Sequence, residues 1–181
     1  MVSDRGINGQ LRWIIAKENP TSIAHVCLAA IAALVSYLTA AQFRLPEAYW
    51  APMSTLIVMQ LTFRAALPVA AQYVAGTAAG AALGAATDAY VHGSVWAFAG
   101  AVVFIGFLCV VLRVERISFR YASITLVIVM LVPRSTSAQL VALHRFFEVS
   151  IGIAVGLVLF AIWQRVVLRL SVKAREVSSL G

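Results

Sequence analysis

Two stretches decide the fold: residues 48–61, AYWAPMSTLIVMQL, and residues 121–132, YASITLVIVMLV. Both are apolar, and both are too short to settle their own placement. A helix needs about 20 mostly apolar residues, at about 1.5 Å each, to cross about 30 Å of hydrocarbon. Read alone, either stretch fits a re-entrant or interfacial segment as well as a span. Their neighbours are easier to read. Thr21–Gln42, Pro68–Tyr90, Ser94–Leu112 and Phe147–Val167 each have the length and apolarity of a span, the last with Glu148 as its only acid.

The cations decide between the readings. If both short stretches cross, six spans bring the two termini to one face. That face then holds Arg5, Arg12, Lys17, Arg64, Arg113, Arg116, Arg120, Arg165, Arg169, Lys173 and Arg175, and the other holds Arg44, Arg134 and Arg145. Eleven against three is the asymmetry of the positive-inside rule, which puts both termini in the cytoplasm. Dropping one short span scatters the basic loops over both faces. The predicted class is therefore all-α: a polytopic membrane protein with six transmembrane helices over residues 20–167. An amphipathic cytoplasmic segment (1–19) precedes them and a basic, loose cytoplasmic tail (168–181) follows.

Composition agrees. The chain has 181 residues, 62% hydrophobic and 12% charged, with a mean hydropathy of +0.92. A soluble domain is about 45–50% apolar and about 25% charged, so a soluble enzyme, a disordered chain and a nucleic-acid-binding domain are excluded. The net charge of +7 sits between apolar runs, where it reads as topology. Trp13, Trp50, Trp96 and Trp163 fall near predicted helix ends, where amphipathic rings prefer the interface. Pro20 and Pro68 stand at predicted helix starts, and Pro133 closes the fifth helix. Residues 1–19 show no signal-peptide pattern. They read either as an interfacial helix with Leu11, Trp13, Ile14 and Ile15 on its apolar side or as a frayed tail.

The two short stretches are the middle helices of two three-helix halves. Without gaps, Trp50–Met59 aligns with Tyr121–Met130: Ala51 meets Ala122, Ser54 meets Thr125, Ile57 meets Ile128 and Met59 meets Met130. Gly76, Ala78 and Gly80 align with Gly152, Ala154 and Gly156. Three spans per half make the second half an inverted copy of the first, the arrangement in which transporters place substrate sites near the midplane at short or interrupted helices. Pro52 is read as that interruption, with Ser54 and Thr55 satisfying the freed carbonyl. Chance similarity between apolar helices is the competing reading. Gly76, Gly80 and Gly84, with Gly152 and Gly156, form small-residue stripes for close helix packing, or for a subunit or sliding surface.

Ionisable groups inside a bilayer are costly and so point to function. Arg145 and Glu148 lie three apart on one face of the sixth helix. They read as an ion pair at headgroup level, or as an anion-attracting Arg beside a proton-accepting Glu. Asp88 and His92 end the third helix, as loop-facing groups or as a proton relay. His25 reads as a packed, hydrogen-bonded histidine or as a proton carrier. Arg113, Arg116 and Arg120 form a basic cytoplasmic mouth, and Arg120, one residue before the short fifth helix, is placed to meet an anion. An arginine binds a carboxylate with two donors at once. Trp50 and Tyr121 offer ring faces to an aromatic substrate, or belong to the interfacial belt. Cys27 and Cys109 are expected as buried, unpaired thiols. No metal-ligand spacing, phosphate loop or nucleophile elbow occurs, so no enzyme, cofactor or metal is expected.

The stretch Leu45-Pro46-Glu47-Ala48-Tyr49-Trp50-Ala51-Pro52, running on through Thr55 to Gln60, is similar to the start of the second helix in the fusaric acid resistance protein-like family, which includes aromatic acid exporters. Gly76-Thr77-Ala78-Ala79-Gly80 resembles that family's Gly-Thr segment, and Arg145, Glu148 and Gly152 resemble its opening of helix 6. Where the family carries an Arg three residues before Gly-Thr, this chain has Tyr73. The resemblance implies a six-helix transporter unit of the bacterial inner membrane, exporting organic anions such as aromatic carboxylic acids. Its expected partners are the lipid bilayer, a small organic anion and a second copy of itself, a homodimer being favoured for a single unit. It leaves the need for a periplasmic accessory protein open. The candidate substrate-binding residues are Trp50, Ser54, Thr55, Arg120, Tyr121, Thr125 and Arg145, with Glu148 and Asp88 as proton-coupling candidates. A passive anion channel of the same fold and a non-transporting membrane scaffold are the alternatives.

Overall fold

A computed structural model describes residues 23–59, 63–91, 94–133 and 136–178. Among them are six helices and no strand: α1 (Ile23–Gln42), α2 (Trp50–Met59), α3 (Phe63–Tyr90), α4 (Val95–Val111), α5 (Arg116–Leu131) and α6 (Ala138–Ser178). Three carry segments long and apolar enough to cross a membrane: Ile23–Gln42, Ala66–Tyr90 and Ala138–Val167. Helices α2 and α4 are shorter apolar helices. The ten described residues of α2 rise about 15 Å. The expectations for residues 1–19, Pro20 and His92 lie outside the described residues.

Several boundaries differ from those read in the sequence. The fifth helix begins at Arg116, so Arg120 stands on it, one turn in. The sixth begins at Ala138 and continues to Ser178, so the basic stretch after Val167 is helical as far as Ser178, and Trp163 lies within the helix. Its 41 residues rise about 60 Å, twice the hydrocarbon thickness. Pro68 lies inside α3. Pro52 does not interrupt α2. It is the third residue of that helix, where a backbone N–H has no intrahelical acceptor in any case. Ser54 and Thr55 instead donate to the carbonyls of Trp50 (3.0 Å) and Ala51 (3.1 Å).

The two halves repeat, and the buried positions fix the register. In α1, Ala32 and Ser36 are buried; 69 residues later, so are Ala101 and Ile105 in α4. The buried residues of α2 (Ala51, Ser54, Thr55, Val58 and Met59) fall 71 residues before Ala122, Thr125, Leu126, Val129 and Met130, all buried in α5. Positions 138, 142, 145, 148, 149, 152, 153 and 156 are buried in α6, and so is each position 72 residues earlier in α3. The packing follows the same symmetry. Helix α3 lies on α5 as α6 lies on α2, α1 meets α2 as α4 meets α5, and α3 and α6 pair with each other at the centre. The register corrects one sequence alignment: Gly152 and Gly156 correspond to Gly80 and Gly84, not to Gly76 and Gly80.

Glycine makes these pairings close. A Cβ on Gly80 would overlap the Ala122 carbonyl, and one on Gly152 would overlap the equivalent Ala51 carbonyl. Gly76 meets the backbone of Ser118, Gly84 meets Val129 and Leu126, and Gly156 meets Thr55. The order of these contacts makes α3 parallel to α5 and α2 parallel to α6. The ends of α1 and α4 match as well. Each closes with Arg in the left-handed region, Arg44 at φ 53° and Arg113 at φ 52°. Each has the two hydrogen bonds of a Schellman cap: Arg44 N–H to Ala41 O and Leu45 N–H to Ala40 O, and Arg113 N–H to Val110 O and Val114 N–H to Cys109 O.

The outer surface is apolar. Val103, Phe104, Phe107 and Val110 on α4, and Ile31, Leu34, Val35 and Leu38 on α1, are exposed. Trp96, at 86% exposure, stands at the start of α4. Cys27 is exposed rather than buried, and Cys109 is half-buried.

Candidate functional site

Polar side chains converge where α2 and α6 meet, beside the loop of residues 43–49. Arg145 is only 2% exposed and Glu148 is fully buried, so both groups lie inside the bundle. The guanidinium carbon of Arg145 lies 3.8 Å from the centroid of the Trp50 ring, a cation–π arrangement. The Trp50 indole donates to Glu47 Oε2 at 2.7 Å, and the Glu47 backbone N–H donates to Glu148 Oε1 at 3.1 Å. Loop, α2 and α6 are thereby tied into one circuit: Glu148 to Glu47, Glu47 to Trp50, Trp50 to Arg145.

Hydrogen-bonding capacity is left over. Arg145 Nε and Nη1 and Glu148 Oε2 are buried without a partner. Buried polar groups are normally paired, and an unpaired donor on a charged group is more costly than a neutral one. Arg145, Glu148, Glu47 and His144, together with Pro46, Pro133, Thr136 and Val141, line a cavity of about 280 Å³. It holds two carboxylates, one guanidinium and an imidazole. A guanidinium beside such a cavity offers an anion a fixed positive charge.

Towards the centre of the bundle lies Tyr73, 3% exposed. Its hydroxyl shares a hydrogen bond of 3.1 Å with Ser54, and its ring stacks on Tyr121 with centroids 3.6 Å apart and planes at 17°. Thr77, one turn further along α3, is buried with its hydroxyl unpartnered. Thr55 donates to the Gly152 carbonyl at 2.7 Å, which fixes α2 on α6.

Of the residues singled out in the sequence, Trp50 and Arg145 meet directly, Glu148 lines the same cavity, and Ser54 joins them through Tyr73. Thr55 and Thr125 are buried, but their hydroxyls serve carbonyls, that of Thr125 at Tyr121 O (2.9 Å). Tyr121 is half-buried in its stack, and Trp50 is covered by Arg145. Arg120 is exposed and is not brought to the centre. Asp88 is buried and does not line the cavity. Glu47, His144 and Tyr73 carry weight that the sequence reading did not give them. The internal register provides the signal for Tyr73, which stands 72 residues before Arg145.

A family model described as fusaric acid resistance protein-like matches residues 27–159 of the chain. No curated protein and no solved structure matches it.

Proposed function

The chain belongs to the fusaric acid resistance protein-like family, and from that premise we propose that it carries organic anions, aromatic carboxylates among them, out of the cell. The observation that supports this most is Arg145: a guanidinium almost wholly buried, with two donors unused, at the wall of a cavity. A carboxylate entering there meets the charge of the guanidinium, which packs on the ring of Trp50. Glu47 and Glu148 line the cavity beside Arg145, so a proton on Glu148 would favour anion entry. In this reading the bundle is a homodimer in the bacterial inner membrane with both termini in the cytoplasm. The stacked rings below Arg145 favour a carrier over an open channel.

The test is reconstitution of the full chain in liposomes loaded with radiolabelled benzoate. Saturable efflux without unitary currents in planar bilayers is the expected result. Unitary currents would make it a channel. Absence of any benzoate movement from a correctly assembled protein would overturn the reading.

A further inference from the structure

The inverted halves invite a comparison position by position, because two-fold symmetry makes every departure from it informative. Most equivalent buried pairs are the same or similar: Ala66 and Ala138, Ala70 and Ala142, Gly80 and Gly152, Gly84 and Gly156. Two departures that exchange charged for neutral groups lie one turn apart. Arg145 over Trp50 corresponds to Tyr73 on Tyr121, since Tyr73 precedes Arg145 by 72 residues and Trp50 precedes Tyr121 by 71. By the same registers, Glu148 bonded to Glu47 corresponds to Gly76 packed on Ser118. The α2–α6 pairing builds a charged, hydrogen-bonded wall beside a cavity. The α3–α5 pairing builds the equivalent contacts from neutral groups and fills them.

The filling is tight. The Tyr73 and Tyr121 rings are at stacking distance, with no room for a solute between them. Gly76 and Gly80 bring the α5 backbone against α3 directly behind the stack, and Ser118 donates to the Gln72 carbonyl at 3.2 Å. Tyr73 also spans the two halves. Its ring lies on α5 of the second half, and its hydroxyl bonds Ser54 on α2 of the first. A residue held by both halves is broken from one of them whenever the halves move apart.

We propose that the Tyr73–Tyr121 stack is the closed gate of the pathway, sealing the Arg145 cavity from the α4–α5 end of the bundle, so that passage requires the two rings to part. What passes rests on the reading of Arg145 as the anion site; the gate itself is testable without any transported solute. Place the full chain, with Cys27→Ser and Cys109→Ser, in liposomes, and introduce a single cysteine by Ser118→Cys, beyond the rings. Apply a membrane-impermeant methanethiosulfonate, counting only molecules whose 43–49 end faces the reagent; Thr136→Cys, at an exposed site beside the cavity, gives that fraction. With both rings present, modification from the cavity side is slow. In Tyr121→Ala, and independently in Tyr73→Ala, it rises by about tenfold or more, because access through a packed pair follows its local opening free energy. Tyr121→Phe, which keeps the stack, stays slow. Unchanged rates in both alanine variants that elute as the parent does, or fast modification with both rings in place, would overturn the gate. Loss of benzoate efflux with this pattern intact would count against the transport reading alone.

Discussion

A guanidinium inside a helix bundle loses several kcal/mol of hydration that its surroundings must replace. Arg145 recovers part of this from the face of Trp50 and part from Glu47 and Glu148, which line the same cavity. Glu148 also has a mechanical duty, since its Oε1 accepts the backbone N–H of Glu47. Glu148→Ala would strip that acceptor and leave a positive charge less compensated, lowering stability by about 1–3 kcal/mol. Glu148→Gln keeps an acceptor of the same shape and is expected to cost about 1 kcal/mol or less on the same scale. Thermal unfolding in detergent, followed by helical circular dichroism, checks the order of the two. At this scale Arg145 and Glu148 were legible in the sequence, because charges in an apolar helix stand out. Tyr73 was not, because a tyrosine among apolar residues has no such contrast. Its importance comes from what lies 72 residues away and from the two helices it touches.

The helices are held by backbone proximity more than by side-chain bulk. Gly80 and Gly152 occupy equivalent places, each with a carbonyl where a methyl would go. Gly80→Ala and Gly152→Ala are therefore each expected to destabilise the bundle by about 1–3 kcal/mol through overpacking. Gly100 has nothing within 4 Å of its would-be Cβ, so Gly100→Ala removes only the entropic penalty of a helical glycine and stabilises by about 0.5–1 kcal/mol. Melting temperatures of the three variants in one detergent separate internal packing from a general intolerance of alanine. Legibility is mixed at this scale. The short middle helices aligned correctly because Trp50–Met59 and Tyr121–Met130 carry distinctive side chains. The glycine helices aligned one turn out because a stripe repeating every four residues matches itself after a shift of four. The break expected in α2 at Pro52 is absent. Pro52 falls in the first turn, where a helix tolerates it.

For the whole molecule, the inversion follows from counting: an odd number of helices per half turns the second half upside down, so like surfaces meet across the centre. That puts the Arg145–Trp50 pair and the Tyr73–Tyr121 pair on related helices, one beside a cavity and one stacked shut. The six-helix class was legible because hydropathy and charge bias are properties of the entire chain. The site was only partly legible, because it is assembled from the 43–49 loop, α2, α3, α5 and α6, which come together only in the fold. The most direct test of the account is the initial rate of radiolabelled benzoate efflux from liposomes holding the full chain with Arg145→Gln, set against the parent and Arg145→Lys. Losing a charge-assisted interaction worth about 1.5–3 kcal/mol should slow efflux at low benzoate by about ten- to a hundredfold in Arg145→Gln, with Arg145→Lys between the two. Equal rates in all three would contradict passage of the anion through this site.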